Sequence, residues 1–229
     1  MPDDTPNGDP AAAREWRAAY ERVVELVEDA GDEAMELTVP ACPDWTAREL
    51  LSHVIGLDHD VLAGDEADDH NSVWTQEQVD ARADRSVAEL LEEWASDADA
   101  LEAYVRTQDP RPLGDLLIHE QDLRGALDEP GARDTDGLTS IRGRMAGRLA
   151  AEVDDAAAPV RLESDDWSWQ SHDGDPGVVL RASTFDLTRA LTSRRSEAQL
   201  RSWVTAGDLD PYLDAFTHLG PLPESDLAE

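Results

Sequence analysis

A chain of 229 residues can form one large domain or two small ones around a real core, and its 40% hydrophobic content supports a folded protein. Its charge is extreme: 52 acidic residues stand against 19 basic ones, a net of -33, and every basic residue is arginine. With no basic patch the chain is a poor partner for nucleic acid or anionic membranes, and its single cysteine, Cys42, excludes an internal disulfide or a cysteine-rich zinc site.

Residues 1–10, rich in Asp and Pro, are expected to be disordered. A helix is predicted over 11–30, where Trp16, Tyr20, Val23 and Val27 recur at three and four and Gly31 ends the run. Pro40 and Pro43 then predict an extended lead-in to a second helix, opened by the capping-box pair Thr46 and Glu49 with Trp45 and Leu50 as a staple. Its apolar stripe is Leu50, Val54, Leu57 and Val61, and His53 lies on that stripe as a polar flaw. Residues 64–85 read as an acidic loop with a short helix near 73–79. Ser86 and Glu89 cap a third long helix running to about 106, with Leu90, Trp94, Ala98, Leu101 and Val105 inward. After TQDPRP a fourth covers about 113–127 and carries GDLLIHEQDLR, in which Leu116, His119, Leu123 and Leu127 share a face with Asp115 at its edge. A fifth is predicted over 138–153 with Leu138, Ile141, Met145 and Leu149 inward.

Beyond a linker at 154–159 the pattern changes. The runs VRLESDDWSWQSHDG and VVLRA alternate as strands do, and shorter helices are predicted near 183–191 and 209–219. The expected organisation is a mostly α protein: a helical bundle over 11–153, then a small α+β domain over 160–221.

His53, Asp115 and His119 form the candidate site. Asp and His at i and i+4 on one helix can grip a single ion, and His53 from a neighbouring helix would complete a three-ligand set. Two imidazoles and a carboxylate suit zinc with an open fourth position, and equally suit ferrous iron, nickel or manganese. The same residues also read as core histidines satisfied internally. Asp122 reads either as an acceptor orienting His119 or as a solvated residue. Cys42, preceding the helix that carries His53, reads either as a small buried packing residue or as a group that approaches the metal, and His59 falls off the His53 line.

The segments VPACPDWTARELLSHVIG and LGDLLIHEQDLRGAL resemble the two signature blocks of the mycothiol-dependent maleylpyruvate isomerase family, and STFDLTRALTSRRSEAQLRSW resembles its C-terminal region. The resemblance implies a DinB-like metal-binding four-helix bundle followed by a small C-terminal domain. By position it implies His53, Asp115 and His119 as the metal ligands, with Asp115 standing where the characterised isomerase has Glu, a methylene longer. It further implies that the metal binds the sulfur of a small thiol, which then adds to an electrophile and leaves, as in an isomerase, or stays attached, as in a transferase. No catalytic residue beyond the ligands is implied, and Arg194 and Arg195 match the family's arginine pair. They would hold a substrate carboxylate or pair with acidic side chains.

The expected function is therefore a metal-dependent, thiol-dependent enzyme of the maleylpyruvate isomerase type, with zinc as the metal and mycothiol or another small thiol, such as γ-glutamylcysteine, as partner to a small electrophile. The alternatives are a non-catalytic metal or ligand sensor and a purely structural bundle. A net charge of -33 repels itself, and molar salt, with a Debye length of roughly 3 Å, relieves the strain; the charge therefore points to a halophile's salt-rich cytoplasm. The acidic N-terminus does not resemble a signal peptide, and no apolar run reaches the ~18–20 residues of a membrane span, so a cytoplasmic location is expected.

Overall fold

The computed structural model describes residues 8–65, 72–153 and 158–228. Residues 1–7 of the expected disordered tail and 154–157 of the expected linker lie outside them. The chain divides into two units at Gly131/Ala132.

The first unit is built on four long helices. α1 (Pro10–Ala34) starts on an Asp9 cap and is broken by Gly31, whose φ of 74° belongs to the left-handed region that glycine tolerates. A short hairpin follows, β1 (Thr38–Val39) paired antiparallel with β2 (Cys42–Thr46). α2 (Ala47–Ala63) begins on the Thr46–Glu49 capping box and ends on Gly64. α3 (Ser72–Asp80) is short. α4 (Val87–Thr107) begins on the Ser86–Glu89 box and α5 (Arg111–Leu127) completes the bundle. α1 packs on α4 and α5, α2 packs on α3, α4 and α5, and the hairpin lies against α2 and α5. The predicted stripes become the core: Trp16, Val23, Val27, Leu50, Val54, Leu90, Trp94, Leu101 and Leu116 are all buried.

α5 is the central helix. Every residue from Pro112 to Leu123 except Asp115 is buried, including His119, Glu120, Gln121 and Asp122. A helix enclosed on nearly all sides cannot send its polar side chains to water, so each must find a partner inside the bundle.

The second unit contains α6 (Asp136–Glu152), α7 (Thr184–Leu191), α8 (Glu197–Ser202), a 3-10 helix (Asp210–Phe216) and a four-stranded sheet. The strands are β3 (Val160–Glu163), β4 (Ser168–Gln170), β5 (Val178–Arg181) and β6 (Val204–Gly207), in the order β4-β3-β5-β6. β3 and β5 run parallel, with Leu162 opposite Leu180, and the outer pairs are antiparallel. Val160, Leu162, Val178 and Leu180 alternate inward and are fully buried.

Three sequence readings are revised here. The boundary falls at Gly131/Ala132 rather than near 153–160, because α6 buries Leu138, Ile141, Met145 and Leu149 and packs on α7 and the 3-10 helix of its own unit. The helix expected near 209–219 is the 3-10 turn. α8 and β6 were not read from the sequence, although Ser196 and Gln199 form the S-x-x-Q capping box that opens α8. Among the described residues no helix is long and apolar enough to cross a membrane.

Candidate metal centre

Three side chains remote in sequence meet inside the first unit. α2 supplies His53 and α5 supplies Asp115 and His119 one turn apart. Asp115 Oδ1 lies 3.4 Å from His119 Nε2 and 3.8 Å from His53 Nε2, and the three potential ligand atoms all fall within 4.8 Å of one another. Two ligands each ~2.1 Å from a tetrahedral ion are separated by about 3.4 Å, close to the Asp115–His119 spacing and a few tenths of an ångström below the Asp115–His53 one. The shorter Asp115 side chain thus reaches both imidazoles. The two rings are edge-to-face at 5.1 Å, and Trp45 covers His53 at 5.2 Å.

The other nitrogen of each ring is engaged elsewhere. His119 Nδ1 is 2.9 Å from Asp122 Oδ2, a carboxylate with no exposed side-chain surface, so Nδ1 carries the proton and donates. His53 Nδ1 is 2.8 Å from Gln78 Oε1. Gln78 Nε2 in turn donates to Asp60 Oδ2 at 2.8 Å, which places the amide oxygen toward the ring and makes His53 Nδ1 the donor as well. Nε2 of each ring therefore faces the same carboxylate, the position from which it could bind a cation or, on His119, carry a second proton. Three acceptors facing one another repel unless a cation or a proton sits between them.

The electrostatics follow. Burial disfavours a charged His119, but the Asp115 and Asp122 carboxylates outweigh it and hold its pKa well above the ordinary imidazole value. Burial alone would push Asp115 up; His119 and His53 instead hold it far below the usual carboxylate range. The site meets solvent at Asp115, whose side chain is 25% exposed against 6% for His53 and 10% for His119.

Two further groups come close that the sequence reading set aside or missed. Cys42, brought onto α5 by the hairpin, places Sγ 3.7 Å from Asp122 Oδ2, and Cys42, His119 and Asp122 form a second set of convergent donors on the far side of the His119 ring. Asp58, on α2, is buried and accepts from Trp94 Nε1 at 2.8 Å. Burial drives its pKa well above the usual value, Trp94 opposes the shift, and Asp115 and Asp97 add to it. Asp58 stands four residues after Val54 and three before Val61, so it was legible as a second polar flaw on the stripe that carries His53. Gln78 carries no such signal. His59 pairs with Asp97 at the surface, outside the cluster.

Arg194 and Arg195 belong to the second unit. Arg195 is 1% exposed, with its guanidinium on Asp186 Oδ1 at 2.9 Å and on the Arg194 carbonyl at 2.7 Å, the acidic pairing that the composition made available. Arg194 is half-buried and donates to the Thr192 carbonyl.

Comparison with known proteins agrees with the sequence blocks. Residues 16–119 match the family described as the mycothiol maleylpyruvate isomerase N-terminal domain, a span that reaches from Trp16 on α1 to His119 itself. Two solved structures share the fold: the mycothiol-dependent maleylpyruvate isomerase, at 16% identity, and a His-to-Ala mutant of that enzyme, at 15%. Each aligns over 86% of this chain and 90% of the other with a TM-score of 0.52, which identifies the fold as the expected DinB-like one. Among curated proteins none matches this chain.

Proposed function

We propose that the first unit holds a divalent metal on His53, Asp115 and His119, and that the protein is a thiol-dependent enzyme of the maleylpyruvate isomerase type. One observation carries this reading: three potential ligand atoms converge within 4.8 Å while Nδ1 of each histidine is engaged on the opposite side of its ring. In the metal-free fold a proton on His119 balances Asp115, and a dication bound by the three side chains would take its place.

The donor set of two nitrogens and one oxygen suits zinc, with iron, nickel or manganese as the other candidates. A dication bound there would remove the proton of a coordinated small thiol, whose free pKa is near ~8.5, and leave a thiolate. The protein's own residues do the rest. Asp122 and Gln78 hold the two rings so that Nε2 faces inward. Trp45 and the buried walls of α2 and α5 exclude water from one side, and the partly exposed Asp115 marks the side where thiol and electrophile enter. Arg194 and Arg195 are the candidates for holding an anionic substrate group, with Arg195 already paired to Asp186 in its own unit. The thiol is mycothiol or another low-molecular-weight thiol, and the reaction is thiolate addition to a small electrophile in the cytoplasm.

Metal analysis of purified protein beside His53→Ala and His119→Ala tests the site. Turnover of maleylpyruvate and a panel of small electrophiles, with and without mycothiol or other thiols, tests the activity. Stoichiometric metal lost in both variants, with thiol-dependent turnover, is expected. Protein that takes up no metal when supplied with it overturns the site, and metal without thiol-dependent turnover overturns the enzyme in favour of a sensor.

A further inference from the structure

The two histidines are held by different means. His119 donates to a carboxylate three residues along its own helix, so the contact follows from α5 alone. His53 donates to an amide that arrives from α3, a short helix with little apolar character of its own. We infer that Gln78 is the positioning residue that turns His53 into a ligand, and that Gly56 admits it; this rests on the metal-site reading above.

Gln78 is 3% exposed and tied at three points. Its Oε1 accepts from His53 Nδ1 and its Nε2 donates to Asp60 Oδ2, so a full carboxylate polarises His53 through the amide as Asp122 polarises His119 directly. Its backbone carbonyl accepts from Arg82 Nη1 at 3.0 Å, and Arg82, itself buried, is anchored to Glu93 of α4 at 2.6 Å. Its stem passes over Gly56, one turn beyond His53 on α2. A Cβ at position 56 would lie 2.5 Å from Gln78 Cβ and 2.8 Å from Arg82 Nη1, closer than packed atoms approach. The missing side chain at Gly56 is therefore what lets α3 come near enough for the amide to reach the ring. The relay Asp60–Gln78–His53 delivers the polarisation through a neutral group, so His53 is oriented without a second carboxylate touching the ligand set.

Two readouts on the full chain test this. Long-range 1H–15N correlation of the imidazoles in metal-free protein at alkaline pH reports the tautomer, and competition with a chromophoric chelator reports zinc affinity. In the wild type His53 is expected as the Nδ1–H tautomer with a pyridine-like Nε2. Gln78→Leu and Gly56→Ala should each mix the tautomers and lower zinc affinity by about 10–100-fold. Gln78→Glu combined with Asp60→Asn exchanges the two groups while keeping an acceptor toward His53, and should restore both. The inference is overturned if His53 keeps its wild-type tautomer and zinc affinity stays within about twofold in Gln78→Leu, well short of the roughly 10–100-fold loss expected, or if the exchanged pair behaves no better than Gln78→Leu. A wild type that binds no zinc removes the metal reading instead, and the tautomer comparison still decides the role of Gln78.

Discussion

Neighbouring positions on α5 bury charge in two opposite ways. Glu120, with no exposed side-chain surface, is closed by Arg22, which meets both its carboxylate oxygens at 2.7 and 2.8 Å, and by Arg124 at 3.1 Å. His119, one residue earlier, shares its Nε2 side with His53 and Asp115, three groups that converge with no arginine among them. The first cluster is complete and can only hold α1 to α5. The second is balanced in the metal-free fold by a proton on His119, which a dication would replace. Buried charge by itself therefore does not mark function; the convergence of potential ligand atoms around an exchangeable proton is what sets the second cluster apart.

Four measurements would break or sharpen this contrast. The largest effect belongs to His119→Ala, which should abolish stoichiometric metal uptake while Arg22→Met leaves it intact; retention of metal by the alanine variant would erase the distinction. Stability should respond in the opposite sense. Arg22→Met leaves Glu120 buried with Arg124 alone and should cost about 2–3 kcal/mol in urea unfolding, more than His53→Ala costs in metal-free protein.

The third effect is in pH. His119 has a raised pKa in the metal-free fold, so the stability it contributes is full below the ordinary imidazole value and is lost as pH rises through the raised one. Asp115 is depressed, so its contribution is present above the ordinary carboxylate range and is lost as pH falls below it. Metal binding has the reverse dependence at His119, since the proton must leave Nε2, and zinc affinity should climb with pH until the raised value is passed. Unfolding curves across pH with and without zinc should cross; parallel curves would show that His119 does not exchange proton for metal. The smallest effect concerns salt. A net charge of -33 predicts a wild-type thermal midpoint that rises by several degrees between dilute buffer and molar salt, whereas the Arg22→Met penalty, being buried, should change by less than about 0.5 kcal/mol. A midpoint indifferent to salt would refute the halophilic reading.

Much of the first unit was legible before any coordinates. The capping boxes at Thr46 and Ser86 place the starts of α2 and α4 because the bonds that form them are local. Periodicity found the inward residues because burial repeats with the helix. His53 and His119 could be singled out as polar positions on apolar stripes. Asp58 had the same signature and went unread. Gln78 could not be found this way: it lies on a helix with no stripe, and its burial is created by Gly56 and Asp60 of α2 and by Arg82, just beyond α3 and anchored to Glu93 of α4. The second unit was harder, because α6 carries an apolar stripe that any helical partner would satisfy, and only packing on α7 and the 3-10 helix assigns it.

Residue order alone thus settled what depends on near neighbours along the chain: helix starts, inward faces, the acidic surface and the i, i+4 pairing of Asp115 with His119. Three-dimensional packing settled everything that depends on direction. Whether His53 meets Asp115, which group each imidazole Nδ1 is turned to, and that Glu120 is closed by arginines while its neighbour faces a histidine and a carboxylate were decided by contacts between elements. Hydrogen-bond sense is a property of paired atoms, and no periodicity in a single strand of text encodes the partner.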